Sequence, residues 1–340
     1  MYDILVVGGG PAGLSAALLL GRCRRRVLVC DSGRPRNGAA EAMHGCLTRD
    51  GVAPTEFLRL AREQLERYDV TLRHDEVVDM GGRADAFEAV LAGGDRVRAR
   101  RVLLATGVVD LLPDIEGFTN FYGRSVHHCP YCDGWEERDR RVAVYGRARA
   151  GYELALAMLA WSHDVALVTD GPSRLKPHDR ARLDEHGVPV HEAKIARLEG
   201  RDGRLERIVF ADGSTLDRDT LFFTTGHRQH SGLAAKLACR FTRAGAIWVG
   251  SGECSSVPGV YVAGDASHEA QLVIVAAAEG AKAAVAINHE LQKADLANAA
   301  RAGARRTAAD HSGEVGRAIA PAVEARLAAS EAEAEAPGGP

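Results

Sequence analysis

Residues 2–13 read Tyr-Asp-Ile-Leu-Val-Val-Gly-Gly-Gly-Pro-Ala-Gly, and this stretch decides the fold. Its apolar start is typical of a buried parallel strand. The spaced glycines Gly8, Gly10 and Gly13 form a tight turn, admit a pyrophosphate to the backbone and let the next helix pack closely. A second strand ends at Asp31, whose carboxylate can accept hydrogen bonds from a ribose diol. The stretch therefore predicts a dinucleotide-binding βαβ unit.

A second unit of the same kind is predicted for residues 141–169. A strand leads to Gly146, and a helix and another strand follow the turn that ends at Gly151. Ala148 takes the place of the middle glycine, and its methyl group crowds a pyrophosphate without excluding it. The alternative interpretation of this segment is an α/β unit with an empty crevice.

Residues 127–134 lie between the two units and read His-His-Cys-Pro-Tyr-Cys-Asp-Gly. Two cysteines separated by two residues can close a small disulfide ring, hold a metal or simply pack. Structural zinc prefers a second ligand pair at matching spacing, and the sequence has no second Cys-x-x-Cys. A redox pair of Cys129 and Cys132 is therefore favoured over zinc. We expect His127 and His128 to be solvated loop residues, and the alternative is that they lower a cysteine pKa.

The bulk composition excludes several classes of protein. The 340 residues carry a net charge of -3, and 46% are hydrophobic and 26% charged, which is a globular profile without a basic field for nucleic acid. The apolar runs are shorter than a bilayer span, and the first residues lack the features of a signal peptide. Seven dilute cysteines favour a reducing cytoplasm over a disulfide scaffold. We therefore expect a cytoplasmic protein with no nucleic-acid or membrane partner.

The order of these motifs resembles that of the low-molecular-weight thioredoxin reductases, which are FAD-dependent pyridine nucleotide-disulfide oxidoreductases. The resemblance covers about residues 1–293, and its most specific part is Cys-x-x-Cys-Asp-Gly just before the second nucleotide-binding strand. It implies an α/β fold of two Rossmann-like dinucleotide-binding domains (three-layer ββα), the second inserted into the first. The implied FAD-binding domain comprises residues 1–115 and 246–293, and the implied NAD(P)-binding domain comprises residues 116–245. We expect residues 294–340 to be an Ala/Glu-rich, partly disordered tail.

The same resemblance implies a set of site residues. Cys132 would face the flavin, Cys129 would attack the substrate disulfide, and Asp133 would move a proton to or from the dithiol. No metal ligand is implied. The implied FAD residues are Gly8, Gly10, Pro11, Ala12, Gly13, Asp31, Ala105, Thr106, Gly107, Gly264, Asp265, Gln271 and Leu272. The implied NAD(P) residues are Gly146, Ala148, Gly151 and Glu153.

One departure from the family concerns the electron donor. NADPH-specific members have a His-Arg-Arg cluster after the second strand of this unit, whereas this chain has Thr169, Asp170 and Gly171 there. Asp170 would repel a 2′-phosphate and suit a ribose diol. The donor is therefore NADPH, NADH or a different reductant.

Two activities remain open from the sequence. The leading interpretation is a thioredoxin reductase-like enzyme, which passes electrons from a nicotinamide cofactor through FAD and the Cys129–Cys132 disulfide to thioredoxin or another disulfide substrate. The alternative is an FAD-dependent dithiol oxidase, which forms a disulfide in a small molecule with oxygen as acceptor. Asp133 favours the reductase, because several such oxidases have histidine at that position. The resemblance also implies a homodimer.

Overall fold

The computed structural model describes residues 1–267 and 270–301. Residues Met1–Ile287 form one compact unit, and a second begins at residue 288. Of the second unit, residues 288–301 are described, and they are helical. Within the described residues, we find no helix with the length and apolar character needed to cross a bilayer.

The described part of the first unit contains seventeen strands in four sheets. The strands are β1 (Tyr2–Val7), β2 (Val27–Cys30), β3 (Val70–Arg73), β4 (Val77–Gly81), β5 (Phe87–Leu91), β6 (Arg96–Leu104), β7 (Val108–Asp110), β8 (Val126–His127), β9 (Val142–Tyr145), β10 (Val165–Val168), β11 (Val190–His191), β12 (Ile195–Arg201), β13 (Arg204–Phe210), β14 (Thr215–Asp217), β15 (Thr220–Phe223), β16 (His227–Gln229) and β17 (Val260–Val262). The helices are α1 (Pro11–Arg22), α2 (Pro54–Glu63), α3 (Phe118–Phe121), α4 (Pro130–Asp133), α5 (Ala148–Met158), α6 (Pro177–Glu185), α7 (Leu233–Lys236), a 3-10 helix (Ser251–Glu253) and a helix over residues 273–287.

The first sheet carries the predicted dinucleotide-binding unit. Strands β3, β2, β1 and β6 lie side by side in this order and run parallel. β17 pairs in parallel with the second half of β6, while β5, itself paired with β4, runs antiparallel to the first half. Every residue of β2 is buried, as expected for a strand that is covered on both faces. The carboxyl ends of the parallel strands therefore meet at one edge of the sheet.

The turn between β1 and α1 has the geometry that its glycines predict. Gly8 has a φ of +109°, and a Cβ there would lie 2.2 Å from the carbonyl oxygen of Ala105. A Cβ on Gly13 would lie 1.9 Å from the carbonyl oxygen of Gly8. Pro11 begins α1, where a missing amide leaves no helical hydrogen bond unmade. The close packing of strand, turn and helix thus excludes a side chain at Gly8 and Gly13.

The second sheet lies within residues 126–223 and is parallel throughout, with the strand order β11-β10-β9-β15-β8. α5 follows β9 and leads to β10, so the second predicted βαβ unit is present. β12, β13 and β14 form an antiparallel sheet, and β16 pairs with β7. The predicted fold class, α/β with two Rossmann-like domains, is confirmed.

Two strand predictions need correction. The sequence predicts a strand over residues 246–249, but these residues form a loop. The amide of Ile247 donates to the carbonyl oxygen of Ala266, and Ile247 takes part only in an isolated bridge with Phe241. The sequence also predicts a hairpin of one strand over residues 197–210 and a second arm that ends at residue 215. Its first arm is in fact two antiparallel strands, β12 and β13, because the chain turns at residues 202–203.

The helical end of the chain also differs in its bounds. The sequence predicts a helix that starts near Gln271, whereas the helix begins at residue 273. Residues 294–301, the start of the predicted tail, are helical. The rest of that predicted tail, residues 302–340, lies outside the described residues.

Candidate active site

A cavity of about 740 Å³ lies at the carboxyl ends of β1, β2 and β6. Ligands of open α/β sheets bind at this edge, because successive strand ends and loops converge there. Of the residues predicted to hold FAD, Gly13 lies beneath the turn and the rest line the cavity. The lining residues among them are Gly8, Gly10, Pro11, Ala12, Asp31, Ala105, Thr106, Gly107, Gly264, Asp265, Gln271 and Leu272.

The turn that follows β1 is shaped for a dinucleotide. A Cβ on Gly10 would meet no atom within 4 Å, so the backbone there faces open space. The first amides of α1 have no helical acceptor and carry the positive end of the helix dipole, which favours a pyrophosphate. At the end of β2, Asp31 accepts hydrogen bonds from Arg62 (2.9 Å) and from the Gly33 amide (3.2 Å). These residues fit FAD, whose isoalloxazine would supply two-electron chemistry.

An arginine that the sequence analysis did not select crosses the cavity wall. Arg36 donates to both carboxylate oxygens of Asp110, at 2.5 and 3.0 Å. It also donates to Asp265 (2.8 Å) and to Gln271 (2.6 Å). Tyr122 adds a hydrogen bond to Asp110 (2.7 Å). The network thus ties two of the predicted FAD residues to the end of β7.

The groups of this network stabilise one another's protonation states. Burial opposes ionisation of Asp110, but Arg36, His128 and Tyr122 together outweigh it and lower the pKa of the carboxyl. Burial, together with the Asp110 carboxylate, raises the pKa of Tyr122, so the phenol stays protonated and can donate. Arg36 lies in an irregular stretch after β2, and no spacing in the sequence indicates its partners.

The cysteine pair meets the same cavity. Cys129 immediately precedes α4, and Cys132 lies within it and lines the cavity together with Asp133. Both thiols are free and half-buried. A hydrogen bond from the Cys132 thiol lowers the pKa of Cys129, and the same bond together with burial raises the pKa of Cys132. Cys129 is therefore the more acidic thiol of the pair, while Cys132 faces the cavity.

The prediction of solvated histidines is wrong for His127. This residue ends β8, is buried, and packs against the ring of Phe222 with 5.3 Å between centroids. Its Nδ1 lies 3.4 Å from Oδ1 of Asp133, and its Nε2 lies 3.8 Å from Oε1 of Glu137. Although burial opposes the charge, these carboxylates raise the pKa of His127 to about 9. His128 lines the cavity, and burial lowers its pKa.

The second nucleotide-binding turn is closed by groups of the chain itself. The amide of Ala148, which a pyrophosphate would use, donates to the carbonyl oxygen of Ser173 (2.7 Å). Arg147 donates to the carbonyl oxygen of Thr169 (2.5 Å) and to that of Asp170, just beyond β10. The loop after β10 therefore folds onto the start of α5.

The carboxylate expected to meet a ribose is engaged as well. Oδ1 of Asp170 accepts a hydrogen bond from the Ile195 amide (2.8 Å), and Oδ2 lies 3.4 Å from Arg147. Glu153 pairs with Arg149 (2.6 Å) on the exposed side of α5.

Asp31 of the first turn has protein partners as well, so the difference between the two turns lies in the amide. Because the Ala148 amide is bonded to Ser173, the residues at this turn do not fit the pyrophosphate of a nicotinamide dinucleotide.

The remaining predicted residues of that turn serve packing. A Cβ on Gly146 would lie 2.8 Å from the Cα of Gly151, which shows how closely the strand end approaches the helix.

In the part of the chain that the structure describes, no three His, Cys, Asp or Glu side chains come together to hold a metal ion. The zinc alternative gains no support there.

The pattern of the pyridine nucleotide-disulphide oxidoreductase family matches residues 2–280. The chain therefore belongs to this family, and it is an FAD-dependent disulfide oxidoreductase. Family membership implies FAD and a nicotinamide cofactor, and it does not specify which nicotinamide.

Within the family, the chain is similar to thioredoxin reductases. It is 33% identical over 326 residues to the probable thioredoxin reductase of Arthroderma benhamiae, with 86% of this chain and 81% of that protein covered. It is 35% identical over 278 residues to thioredoxin reductase tcpT of Claviceps purpurea, with 78% and 86% covered. The crystal structure of HlmI superposes with a TM-score of 0.86 at 39% identity, with 90% of this chain and 97% of HlmI covered. The resemblance predicted from the motifs is confirmed.

Proposed function

We propose that the enzyme oxidises a small dithiol to a disulfide through Cys129 and Cys132, with FAD as the electron carrier and oxygen as the final acceptor. The observation that carries this proposal is the second nucleotide-binding turn, where Ala148 and Asp170 are already bonded to Ser173 and Ile195. An enzyme without a working nicotinamide site needs another source of electrons, and a dithiol substrate is one.

The proposed chemistry balances in electrons and protons. A substrate thiolate attacks Sγ of Cys129 in the Cys129–Cys132 disulfide, so that a mixed disulfide forms and Cys132 leaves as a thiolate. The second substrate thiol then displaces Cys129 and closes the product disulfide. The pair has gained two electrons and two protons. FAD, when bound, would supply the route by which these electrons reach oxygen and give hydrogen peroxide. Asp133, which lines the cavity beside Cys132, exchanges a proton at its carboxylate.

The second candidate is a disulfide reductase, which draws electrons from NADPH or NADH and reduces thioredoxin or another disulfide substrate. Two observations favour it: Asp133 follows Cys132 as in the reductases, and similar proteins are named thioredoxin reductases. For this activity, the loop that carries Asp170 and Ser173 would have to leave the start of α5 so that the dinucleotide could bind.

Steady-state assays separate the two candidates. The oxidase should consume oxygen and form one hydrogen peroxide per dithiothreitol oxidised, and NADPH or NADH should not support reduction of a thioredoxin disulfide. Inactivation by Cys132→Ser is required in either case. Nicotinamide-dependent reduction of thioredoxin without peroxide formation would establish the reductase and refute the oxidase.

The organisation of the enzyme follows from the same proposal. We assign FAD to residues 1–115 and 246–293 and the redox pair to an inserted domain of residues 116–245. The composition of the two large sheets supports these bounds.

A homodimer and a cytoplasmic setting rest on the family resemblance and on the dilute cysteines. Light scattering of the full chain tests the homodimer.

A further inference from the structure

A cluster of buried charge lies directly behind the redox pair. His127 stands between two carboxylates, with Nδ1 3.4 Å from Asp133 and Nε2 3.8 Å from Glu137. The side chains of His127 and Glu137 are 6% and 4% exposed. Among the described residues, His127 Nε2 and Glu137 Oε2 find no hydrogen-bond partner. Ionisable groups buried this deeply are costly unless they balance one another, so the cluster needs a functional explanation.

The other neighbours of His127 are consistent with a positive charge on its ring. The Phe222 ring of β15 packs against it and has no group that could accept its proton. On the outer side, Arg140 lies 3.3 Å and Arg204 3.8 Å from the oxygens of Glu137. Because these arginines balance the negative charge of Glu137, the positive charge of the His127 imidazolium can balance the carboxylate of Asp133, which lies next to the cysteines.

The dithiol chemistry places a second anion at the same point. Disulfide formation between Cys129 and Cys132 releases two electrons and two protons in all, and it proceeds from thiolates. A Cys132 thiolate beside the Asp133 carboxylate would bring two like charges together, which disfavours ionisation of the thiol. A cation on the other side of Asp133 relieves this repulsion.

We propose that His127, held between Asp133 and Glu137, is a positioning residue whose positive charge allows Cys132 to ionise beside the cavity. This inference rests on the proposed function. During oxidation of the pair, the sulfur–sulfur bond forms and two electrons leave the cysteines, for which bound FAD would be the acceptor. The two thiol protons go to the carboxylate of Asp133 and to solvent.

The test replaces His127 by asparagine in the FAD-loaded full chain, with His163→Asn at an exposed position as the matched control. Ultraviolet absorbance reports thiolate formation against pH, after subtraction of the Cys132→Ser signal, and flavin reduction by dithiothreitol is followed without oxygen. Loss of a neighbouring cation shifts a thiol pKa upward by about 1 unit. The Cys132 thiolate should therefore form at a pH about one unit higher than in the wild type, and the flavin reduction rate at neutral pH should fall about tenfold. His163→Asn should match the wild type in both.

Glu137→Gln is the second variant, because it keeps the imidazole and weakens its hold on the proton. As the pH is raised, the rate of flavin reduction should then begin to decline at a lower pH than in the wild type. The inference would be overturned if both variants retained the flavin and gave the same thiolate titration curves and pH–rate profiles as the wild type. If dithiothreitol does not reduce the wild-type flavin, the proposed function fails, and the absorbance titration still decides the role of His127.

Discussion

Replacing Asp110 by asparagine removes the carboxylate that neutralises Arg36 in the cavity wall. The two side chains are 6% and 13% exposed, and they share hydrogen bonds of 2.5 and 3.0 Å. Removing one partner of a buried ion pair costs about 3–5 kcal/mol. Arg36 keeps Asp265 at 2.8 Å, so we expect the lower end of this range, about 3 kcal/mol. For a unit of this size, such a loss lowers Tm by about 6 °C.

Thermal unfolding of the FAD-loaded enzyme, followed by circular dichroism and flavin fluorescence, measures this change. Glu88→Gln is the matched control, because Glu88 pairs with two largely exposed arginines and should cost no more than about 0.5 kcal/mol. Arg36→Met should cost more than Asp110→Asn, because it leaves both Asp110 and Asp265 without the guanidinium that neutralises them. A Tm for Asp110→Asn within about 1 °C of wild type would refute the reasoning, because a change that small is far below the expected loss.

Three other predictions concern the turn, the buried histidine and the second nucleotide site. Gly13→Ala places a Cβ 1.9 Å from the Gly8 oxygen, so the purified protein should contain little flavin, measured as the absorbance ratio of flavin to protein. The pKa of His127 is raised from 6.5 to about 9, so its stabilisation of about 3 kcal/mol is complete below pH 6.5 and is lost as pH rises through about 9. Urea unfolding across this range should show the decline in wild type and a flatter profile in His127→Asn. Arg147→Gly removes the guanidinium that bonds to the loop after β10, so stopped-flow reduction of the flavin by NADH should become faster, whereas Arg149→Ala, at an exposed position, should leave it unchanged.

The sequence alone was sufficient where a motif and its function lie within one short segment. The turn from Gly8 to Gly13 could be predicted because strand, glycine spacing and helix follow each other directly along the chain. Cys129 and Cys132 could likewise be selected from their spacing and their position before β9, and their redox role stays a prediction.

The rest depended on contacts between distant segments. Arg36 and Asp265 are 229 residues apart, and no local pattern predicts that they meet. His127 is buried because β8, a strand of only two residues, pairs with β15 far along the chain. Closure of the second turn was also hidden, since the Ala148 amide is taken by a carbonyl group from a loop without regular structure.

The most direct test of the central claim compares dithiothreitol, NADH and NADPH as reductants of the enzyme-bound flavin in the absence of oxygen. The proposed electron path, from substrate thiols through Cys129 and Cys132 to FAD, predicts rapid bleaching by one equivalent of dithiol and no comparable bleaching by either nicotinamide. It also predicts that Cys132→Ser stays oxidised with the dithiol. The proposed electron path would be contradicted if NADH or NADPH bleached the wild-type flavin rapidly while the dithiol left that flavin oxidised.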